Sequence, residues 1–325
     1  MSRSWKYPAF LTHNDLTDPR PARHERSGEA PLDQNAAIPS DQFYSLTGDE
    51  LAFFKSQTGI QDEAELKKHI IQVKEEALVV QPYRCISYFS FTKLFISRLP
   101  AYSQLLKLGK ERQSPIFLDI GCCFGNDLRK AVADGFPAER AIGSDIHLEF
   151  WHLGNKLFKT SKETFPAHFI PGDALNPEFL KPVPPFKSLP TGSVPDLSTL
   201  RTLTPLQGRI SAIHASAFFH VFEEAGQLQL AKSLAGLLSP EPGSVIFGAH
   251  AGLPEKGFRQ RSRIADTGPL MFCHSPESWI QLWDGEIFEK FTVKVEAVLV
   301  EVKHERINFL EGGVWYQLVW SVTRL

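Results

Sequence analysis

The stretch that most constrains the fold is residues 114–145, which have the pattern of a strand, a glycine turn, a helix and a second strand. The first strand, residues 116–118, is a short continuous apolar run of the kind found in buried parallel sheets. Gly121 and Gly125 bracket a tight turn, and apolar residues at helical spacing follow it. The second strand ends at Asp145. The pattern predicts an α/β fold built on a parallel sheet.

A glycine turn of this kind is typical of nucleoside-binding proteins. Glycines let the backbone approach a ligand closely, and the following helix presents its amide dipoles. An acid at the end of the second strand can accept hydrogen bonds from both ribose hydroxyls, about 20 residues beyond the turn in dinucleotide-binding folds. Asp145 has that spacing from Gly125. The G-x-G-x-x-G fingerprint is missing, which speaks against an NAD-dependent oxidoreductase. An ordinary strand-to-helix turn would show the same two glycines.

The turn resembles motif I of class I S-adenosyl-L-methionine (SAM) methyltransferases, (D/E)-x-G-x-G-x-G. Asp119, Gly121 and Gly125 match the motif, and Cys123 stands in place of the middle glycine. SAM has no pyrophosphate to be accommodated, so a side chain is tolerable there. The resemblance implies SAM as the cofactor.

Later stretches are similar to the same superfamily in the same order. Residues 170–175 resemble the end of its third strand, and residues 208–222 resemble the fourth strand and the loop beside the methyl donor. Alternating residues near 291–297 and an apolar run at 314–322 resemble its last two strands. The resemblance implies a Rossmann-like class I methyltransferase sheet, mostly parallel with the last strand antiparallel, preceded by an N-terminal helical section.

Four segments resemble a narrower group, the methyltransferases of fungal meroterpenoid and related secondary-metabolite clusters. They are LDIGCCFGNDLRK at 118–130, GSDIHLEFW at 143–151, AIHASAFFHVF at 212–222 and FCHSPESW at 272–279. The resemblance implies an O-methyltransferase of a small, largely apolar metabolite. Some members of the group esterify the carboxyl group of a prenylated aromatic polyketide, so a carboxylate acceptor is implied by resemblance only.

The resemblance also implies a donor-binding set. The two glycines would pass along the donor, Asp145 would hold the ribose and Ile146 would pack on the adenine. Asp173 and Ala174 would recognise the adenine edge. The full predicted cofactor-binding set is Asp119, Gly121, Gly125, Asp145, Ile146, Asp173, Ala174 and His214.

The reacting groups are expected at the end of the fourth strand. His220 and His214 are the predicted catalytic residues, each either a base or a hydrogen-bond donor that orients a carboxylate. As alternatives, His220 could cap the following helix, and His214 could simply be a hydrogen-bonded histidine at a strand end. Phe218, Phe219, Tyr88 and His274 are the predicted substrate contacts, although most aromatic residues near them are core packing. No metal site is predicted.

The sequence divides into three predicted parts. Residues 1–48 are polar and rich in proline, which predicts an extended or disordered arm. Residues 49–112 carry apolar residues at helical spacing and form a predicted helical cap. Residues 113–325 form the predicted SAM-binding methyltransferase domain, with a proline-rich insertion at 177–207. We expect this insertion to face the active-site edge of the sheet.

Composition narrows the classes of partner. The net charge is -2, and no basic stripe is present, so nucleic acid is disfavoured and a small molecule is expected. The four cysteines form no C-x-x-C pair. No apolar run reaches membrane-spanning length and no signal-peptide core is visible, so a cytoplasmic enzyme is expected. A homodimer is a possible assembly.

The nucleophile decides what the catalytic residues must do. A carboxylic acid with a pKa near 4 is ionised at neutral pH, whereas a phenol with a pKa near 10 is not. Carboxyl methylation therefore needs orientation and desolvation, and phenol methylation needs a base. The alternatives to a carboxyl O-methyltransferase are a phenol O-, N- or C-methyltransferase and a SAM-fold binding protein without methylation activity.

Overall fold

The computed structural model describes residues 41, 43–259, 271–302 and 314–325. The helices in these ranges are α1 (Gly48–Thr58), α2 (Glu63–Val80), α3 (Arg84–Ser87), α4 (Tyr102–Glu111), α5 (Asn126–Ala133), α6 (Leu148–Leu157), α7 (Glu224–Leu237) and α8 (Pro276–Trp283). The strands are β1 (Phe117–Ile120), β2 (Ala141–Ser144), β3 (His168–Phe169), β4 (Ala212–His214), β5 (Val245–Ala251), β6 (Gly257–Arg259), β7 (Met271–Cys273), β8 (Val293–Val302) and β9 (Trp315–Arg324).

Seven of the strands form one sheet in the order β3-β2-β1-β4-β5-β9-β8. The first five of these pair in parallel, and β9 runs antiparallel between β5 and the edge strand β8. The predicted Rossmann-like sheet, mostly parallel with the last strand antiparallel, is therefore confirmed. β6 and β7 form a separate hairpin that was not predicted.

The short central strands are buried and mostly apolar because helices cover both faces of the sheet. β1, β2 and β4 are buried along their whole length. One face packs against α7 and α8, with Leu230, Leu234 and Trp279 in the core. The opposite face packs against α4 and α5, with Leu105 and Leu128 in the core.

The helices before the sheet form a cap beside the glycine turn. Phe54 of α1 and Ile70 of α2 share a buried cluster with Phe124 of the turn and with Phe150 of α6. After α3 the chain continues through two short 3-10 turns at 90–92 and 96–98. The α4 helix, which belongs to the predicted 49–112 cap by sequence, packs on the sheet instead. The predicted arm lies outside the described residues as far as residue 40.

The proline-rich insertion does not take the predicted course. From Val183 onward it lies at the amino edge of the parallel strands, where Arg324 donates a hydrogen bond to the Phe186 carbonyl at 3.0 Å. There the Gly208 amide also donates to the carbonyl of Gly236, near the end of α7, at 2.9 Å. The expectation that the insertion faces the active-site edge is wrong, because β4 is parallel to β1 and the chain must return to the amino edge before β4 begins. Among the described helices, none is long and apolar enough to cross a bilayer.

Candidate active site

The carboxyl ends of the parallel strands bring the predicted site residues to one edge of the sheet. Asp119 on β1 pairs with Gly143 on β2 and with His214 on β4. The glycine turn follows β1 directly, and the Gly121 amide donates to the carbonyl of Ser144 at 2.8 Å. Ligands of open α/β sheets bind outside this edge, at the point where the order of the strands reverses.

Both motif glycines are required by the geometry of the turn. Gly121 has a φ of 72° and Gly125 a φ of 69°, in the left-handed region that side chains rarely adopt. A Cβ atom on Gly121 would lie 2.6 Å from Cδ2 of Phe218, and one on Gly125 would lie 2.8 Å from Cζ3 of Trp151. Cys123, in the middle position, also takes a positive φ of 49°. The turn therefore keeps the backbone of a three-glycine motif although one glycine is replaced.

Asp145 is fixed by the turn that it faces. Its Oδ2 accepts the amide of Cys123 at 2.9 Å, and its Oδ1 accepts the amide of His147 at 3.1 Å. Burial raises the pKa of Asp145 above its usual value, and the two backbone hydrogen bonds oppose that shift. Ile146 beside it is 57% exposed, which is unusual for a large apolar side chain and leaves its surface open to a ligand.

The third strand brings its loop to the same place. The Gly172 amide donates to the Asp145 carbonyl at 3.0 Å, so Asp173 and Ala174 lie beside the end of β2. Asp173 is exposed and its Oδ1 accepts the amide of Leu175, whereas Ala174 is buried. The predicted donor-binding residues from β1, β2 and β3 are thus brought together.

A buried chain of polar side chains crosses from β1 to the loop after β4. His214 Nδ1 lies 2.8 Å from Asp119 Oδ1, and His214 Nε2 lies 2.7 Å from Ser216 Oγ. Ser216 Oγ also accepts the amide of Ala249 on β5 at 3.1 Å. Burial is the largest single effect and lowers the pKa of His214, but the charge of Asp119, its hydrogen bond to the ring and the charge of Asp127 together outweigh burial, so the pKa is raised overall. Asp119 Oδ2 is buried and has no hydrogen-bond partner.

The loop after β4, residues 216–222, is held against the end of β5 and is called the acceptor loop below. The Ala217 amide donates to the Ala249 carbonyl at 2.7 Å, and the Ala251 amide donates to Nδ1 of His220 at 3.3 Å. Ala217 has a φ of 50°. This left-handed turn sends Phe218 onto Gly121, the first motif glycine.

Two predicted roles are corrected by burial. Phe219 was predicted to contact substrate, but it is 0% exposed and packs edge-on against Trp279, with ring centroids 4.9 Å apart. It is a core residue. His214 was predicted to be catalytic, but it is 2% exposed and both ring nitrogens are already hydrogen-bonded. It has no free nitrogen with which to reach a substrate.

Tyr88 and His274 stay predicted substrate contacts. Tyr88 lies in the cap, where its ring is 4.8 Å from that of Phe43, measured between centroids. His274 is buried at the start of α8 and its Nδ1 lies 2.9 Å from Ser278 Oγ. Burial, with Lys256 nearby, lowers the pKa of His274 to about 4. Within the described ranges, no group of three or more His, Cys, Asp or Glu side chains is arranged to hold a metal ion.

Sequence reasoning missed Ser216 and Trp151. Ser216 lies two residues after His214, a spacing that returns to the same side of an extended chain, so it could have been considered as a partner for the histidine. Trp151 packs on Gly125 from α6, a contact that no local pattern reveals.

The residues at this edge fit SAM. The two glycines give the turn the left-handed backbone of motif I, and the Asp145 carboxylate follows the end of β2. The orphaned Asp119 Oδ2 calls for a hydrogen-bond donor, which the ammonium group of SAM can supply directly or through water.

Comparisons with known proteins identify the family of the chain. The family model for the meroterpenoid methyltransferase N-terminal domain matches residues 41–92. The Asnovolin E/Chermesin D methyltransferase nvfJ of Aspergillus novofumigatus is 33% identical over 263 residues, which cover 80% of this chain and 83% of the relative. The O-methyltransferase phiE of Fungal sp. is 32% identical over 244 residues, covering 74% of this chain and 72% of the relative.

One similar solved structure is the 1,6-didemethyltoxoflavin-N1-methyltransferase of Burkholderia thailandensis. It is 12% identical, with a TM-score of 0.42, over 68% of this chain and 76% of that chain. The family itself follows from the curated relatives, which the chain matches over most of their length. The chain belongs to the fungal meroterpenoid methyltransferases and is a SAM-dependent methyltransferase.

Proposed function

We propose that the enzyme methylates a carboxylate oxygen of a small, largely apolar meroterpenoid-type intermediate and so forms a methyl ester. The observation that carries the proposal is the hydrogen bond from the Ala251 amide to Nδ1 of His220. A nitrogen that accepts an N–H carries no hydrogen, so the neutral ring bears its hydrogen on Nε2. In this tautomer Nε2 of His220 is a hydrogen-bond donor and not a base.

The other histidines near the acceptor loop, His214, His250 and His274, offer no base either. Both nitrogens of His214 are engaged. His250 on β5 is buried, its Nδ1 accepts the Trp320 indole N–H at 2.9 Å, and burial lowers its pKa well below the usual value. His274 has its pKa lowered to about 4. A phenol, with a pKa near 10, would need a base near neutrality, whereas a carboxylic acid arrives ionised.

The donor-binding roles belong to the same proposal. We assign Gly121 and Gly125 to the path of the donor, Asp145 to the ribose hydroxyls and Ile146 to the adenine face. Asp173 and Ala174 are assigned to the adenine edge. The support is that the described strands bring all six to one edge, with Ile146 uncovered.

The protein's own task is alignment. When bound, SAM supplies a methyl group on a positively charged sulfur that is already a good leaving group. His220 Nε2–H would hold one carboxylate oxygen and leave the other free to be aligned, and Phe218 on Gly121 would exclude water. Alignment of this kind contributes up to about 7–11 kcal/mol in favourable cases.

The test compares His220→Ala with His220→Gln, because the glutamine amide can donate from a position close to that of Nε2. A hydrogen bond to a charged group contributes about 1.5–3 kcal/mol, so we expect kcat to fall about 10-fold to 100-fold in the alanine variant. The glutamine variant should recover most of that loss. All three proteins should show a flat pH–rate profile above pH 6, measured with a prenylated aromatic acid as acceptor.

The opposite pattern would favour the alternatives. If the wild-type rate rises with pH through about 7 and both variants lose activity equally, His220 is a base and a phenol is the better acceptor. A matched pair of acceptors, one carrying only the acid and one only the phenol, gives the same decision independently. Turnover of an amine or carbon acceptor in place of both would favour an N- or C-methyltransferase.

A further inference from the structure

The buried chain Asp119–His214–Ser216 links two parts of the site that the methyltransferase reaction uses at the same time. Asp119 lies within β1, two residues before Gly121, on the proposed donor side. Ser216 begins the acceptor loop, which carries Phe218 and His220. His214 lies between them, 2.8 Å from one and 2.7 Å from the other. Nothing in the proposed carboxyl methylation requires a histidine in this position.

The orphaned carboxylate oxygen shows which group of the donor would act on this chain. Asp119 is 3% exposed, and its Oδ2 is buried without a partner while Oδ1 is bound to His214. A buried carboxylate oxygen needs a hydrogen-bond donor. The cationic sulfur of SAM has no hydrogen to give, whereas its ammonium group has three.

We propose that His214 is a positioning residue that couples donor binding to the acceptor loop: the donor's ammonium group occupies Asp119 Oδ2, His214 releases a proton to solvent, and its Nε2 changes from donor to acceptor toward Ser216. The inference rests on the donor site proposed above and is independent of the acceptor's chemistry.

The charged groups around the His214 ring determine whether the ring holds or loses its proton. Asp119 on β1 is in contact with the ring, and the carboxyl of Asp127 on α5 also acts on it. The neighbours from the acceptor loop and from β5 are uncharged: the Ser216 hydroxyl and the Phe247 ring, whose centroid is 5.3 Å away. The Asp119 carboxylate is thus the main support of the imidazolium. A cation at Oδ2 opposes that support, so the ring loses its proton.

The hydrogen bonds of Ser216 carry the change onward. Its Oγ accepts the Ala249 amide at 3.1 Å in either state. With His214 protonated, Nε2–H donates to Ser216 Oγ. With His214 neutral, the Ser216 hydroxyl donates its one hydrogen to Nε2. This fixes the orientation of the hydroxyl and tightens the start of the acceptor loop.

The test is calorimetry of S-adenosylhomocysteine binding near pH 7 in buffers of different ionisation enthalpy. The slope of the observed enthalpy counts protons, and we expect release of up to about one proton per site. The control ligand is 5′-methylthioadenosine, which keeps the adenosine but lacks the ammonium and carboxylate groups; it should release none. His214→Asn keeps an N–H toward Asp119 and removes the titrating ring, so it should bind S-adenosylhomocysteine without proton release.

Each failure has a distinct signature. If neither ligand binds, the donor site itself is wrong. If S-adenosylhomocysteine binds without proton exchange, or with the same exchange as the control ligand, the coupling through His214 is overturned. Should the asparagine variant not fold, the imidazole Cε1 resonance of His214 in the wild type gives the same answer, since it should move from imidazolium to neutral on binding.

Ser216→Ala tests the second half of the chain. The ring and Asp119 remain, so proton release and the dissociation constant of S-adenosylhomocysteine should be unchanged, while kcat falls severalfold. An unchanged kcat would overturn the link to the acceptor loop. A shifted dissociation constant with lost proton release would mean that Ser216 belongs to the donor site.

Discussion

At the scale of single residues, backbone conformation explains how the glycine motif tolerates one substituted residue. Cys123 stands where motif I has glycine, yet its φ of 49° is that of the left-handed region. That conformation costs a non-glycine residue roughly 1–2 kcal/mol. The Cys123 amide donates to Asp145, and this contact, together with the surrounding packing, holds the residue there.

Gly121, the first motif glycine, should tolerate substitution less well. Gly121→Ala adds a Cβ that would lie 2.6 Å from Phe218, so we expect both a loss of stability of about 1–2 kcal/mol and donor binding at least about tenfold weaker. Gly59→Ala is the matched control, because its φ of 73° is nearly the same and its Cβ would meet nothing within 4 Å. Urea unfolding and calorimetry separate the two effects. Equal donor affinity in both variants would remove Gly121 from the donor path.

The position in a motif predicted which residues follow the carboxyl ends of β1 to β4, but it did not predict burial where a single turn determines it. Phe218 and Phe219 are adjacent residues of the same type, so residue type alone does not predict which of them is buried. Phe218 covers the glycine turn, whereas Phe219 enters the core after the left-handed turn at Ala217. The burial of His214 likewise depends on pairing between β1 and β4, which are about a hundred residues apart in the chain.

At the scale of elements, the long connection from β3 to β4 acts as packing for α7. Val183 lies against Gly236 near the end of that helix, with room for no side chain on the glycine. The insertion's composition predicted a loop, and among the described residues it holds only two 3-10 turns. Its course was not predictable, because composition says nothing about which edge of the sheet a loop follows.

This contact reverses the usual effect of alanine in a helix. Gly→Ala inside a helix normally stabilises by roughly 0.5–1 kcal/mol. At Gly236 the new Cβ would lie 2.7 Å from Cγ2 of Val183 and 2.9 Å from its carbonyl oxygen, so we expect Gly236→Ala to destabilise by about 1–3 kcal/mol. Donor affinity should not change. Adding Val183→Ala should relieve part of the loss, and a stabilised single variant would contradict this packing.

Strands were predictable where they were long and periodic or where a sequence motif marked them. β8 and β9, with ten residues each, gave clear patterns. β3 has two residues and β6 and β7 have three each, too few for any periodicity to show. Such short strands are defined by their neighbours and not by their own sequence.

At the scale of the whole molecule, buried histidines tie stability to pH. The folded pKa of His274, about 4, lies below its ordinary value of 6.5, and that of His250 is lowered as well. The unfolded chain therefore binds protons that the folded chain excludes, and stability falls as pH drops from 6.5 toward 4. The raised pKa of His214 acts in the opposite sense: its contribution is present below 6.5 and is lost as pH rises through the folded pKa.

We therefore expect the free energy of unfolding to fall as the pH drops below 6.5, with His274 contributing on the order of 3 kcal/mol by pH 4. His274→Asn should flatten the pH dependence by that amount, as measured by urea unfolding at a series of pH values. The comparison with wild type cancels the carboxyl groups, which titrate in both proteins. An identical slope in the two proteins would show that His274 is not buried in its neutral form.

The order of the strands has a consequence for the timing of folding. β5 and β8 meet only through β9, which is the last of the described strands to leave the ribosome. Until then β5 has one unpaired edge and β8 has no partner in the sheet, so both strands of a nascent chain expose unpaired edges to which other proteins can bind. The residues proposed to bind the donor follow β1, β2 and β3, so they can assemble earlier. We therefore expect that a nascent chain can bind its cofactor before the sheet is complete. Cofactor binding would then stabilise the incomplete sheet until β9 is added.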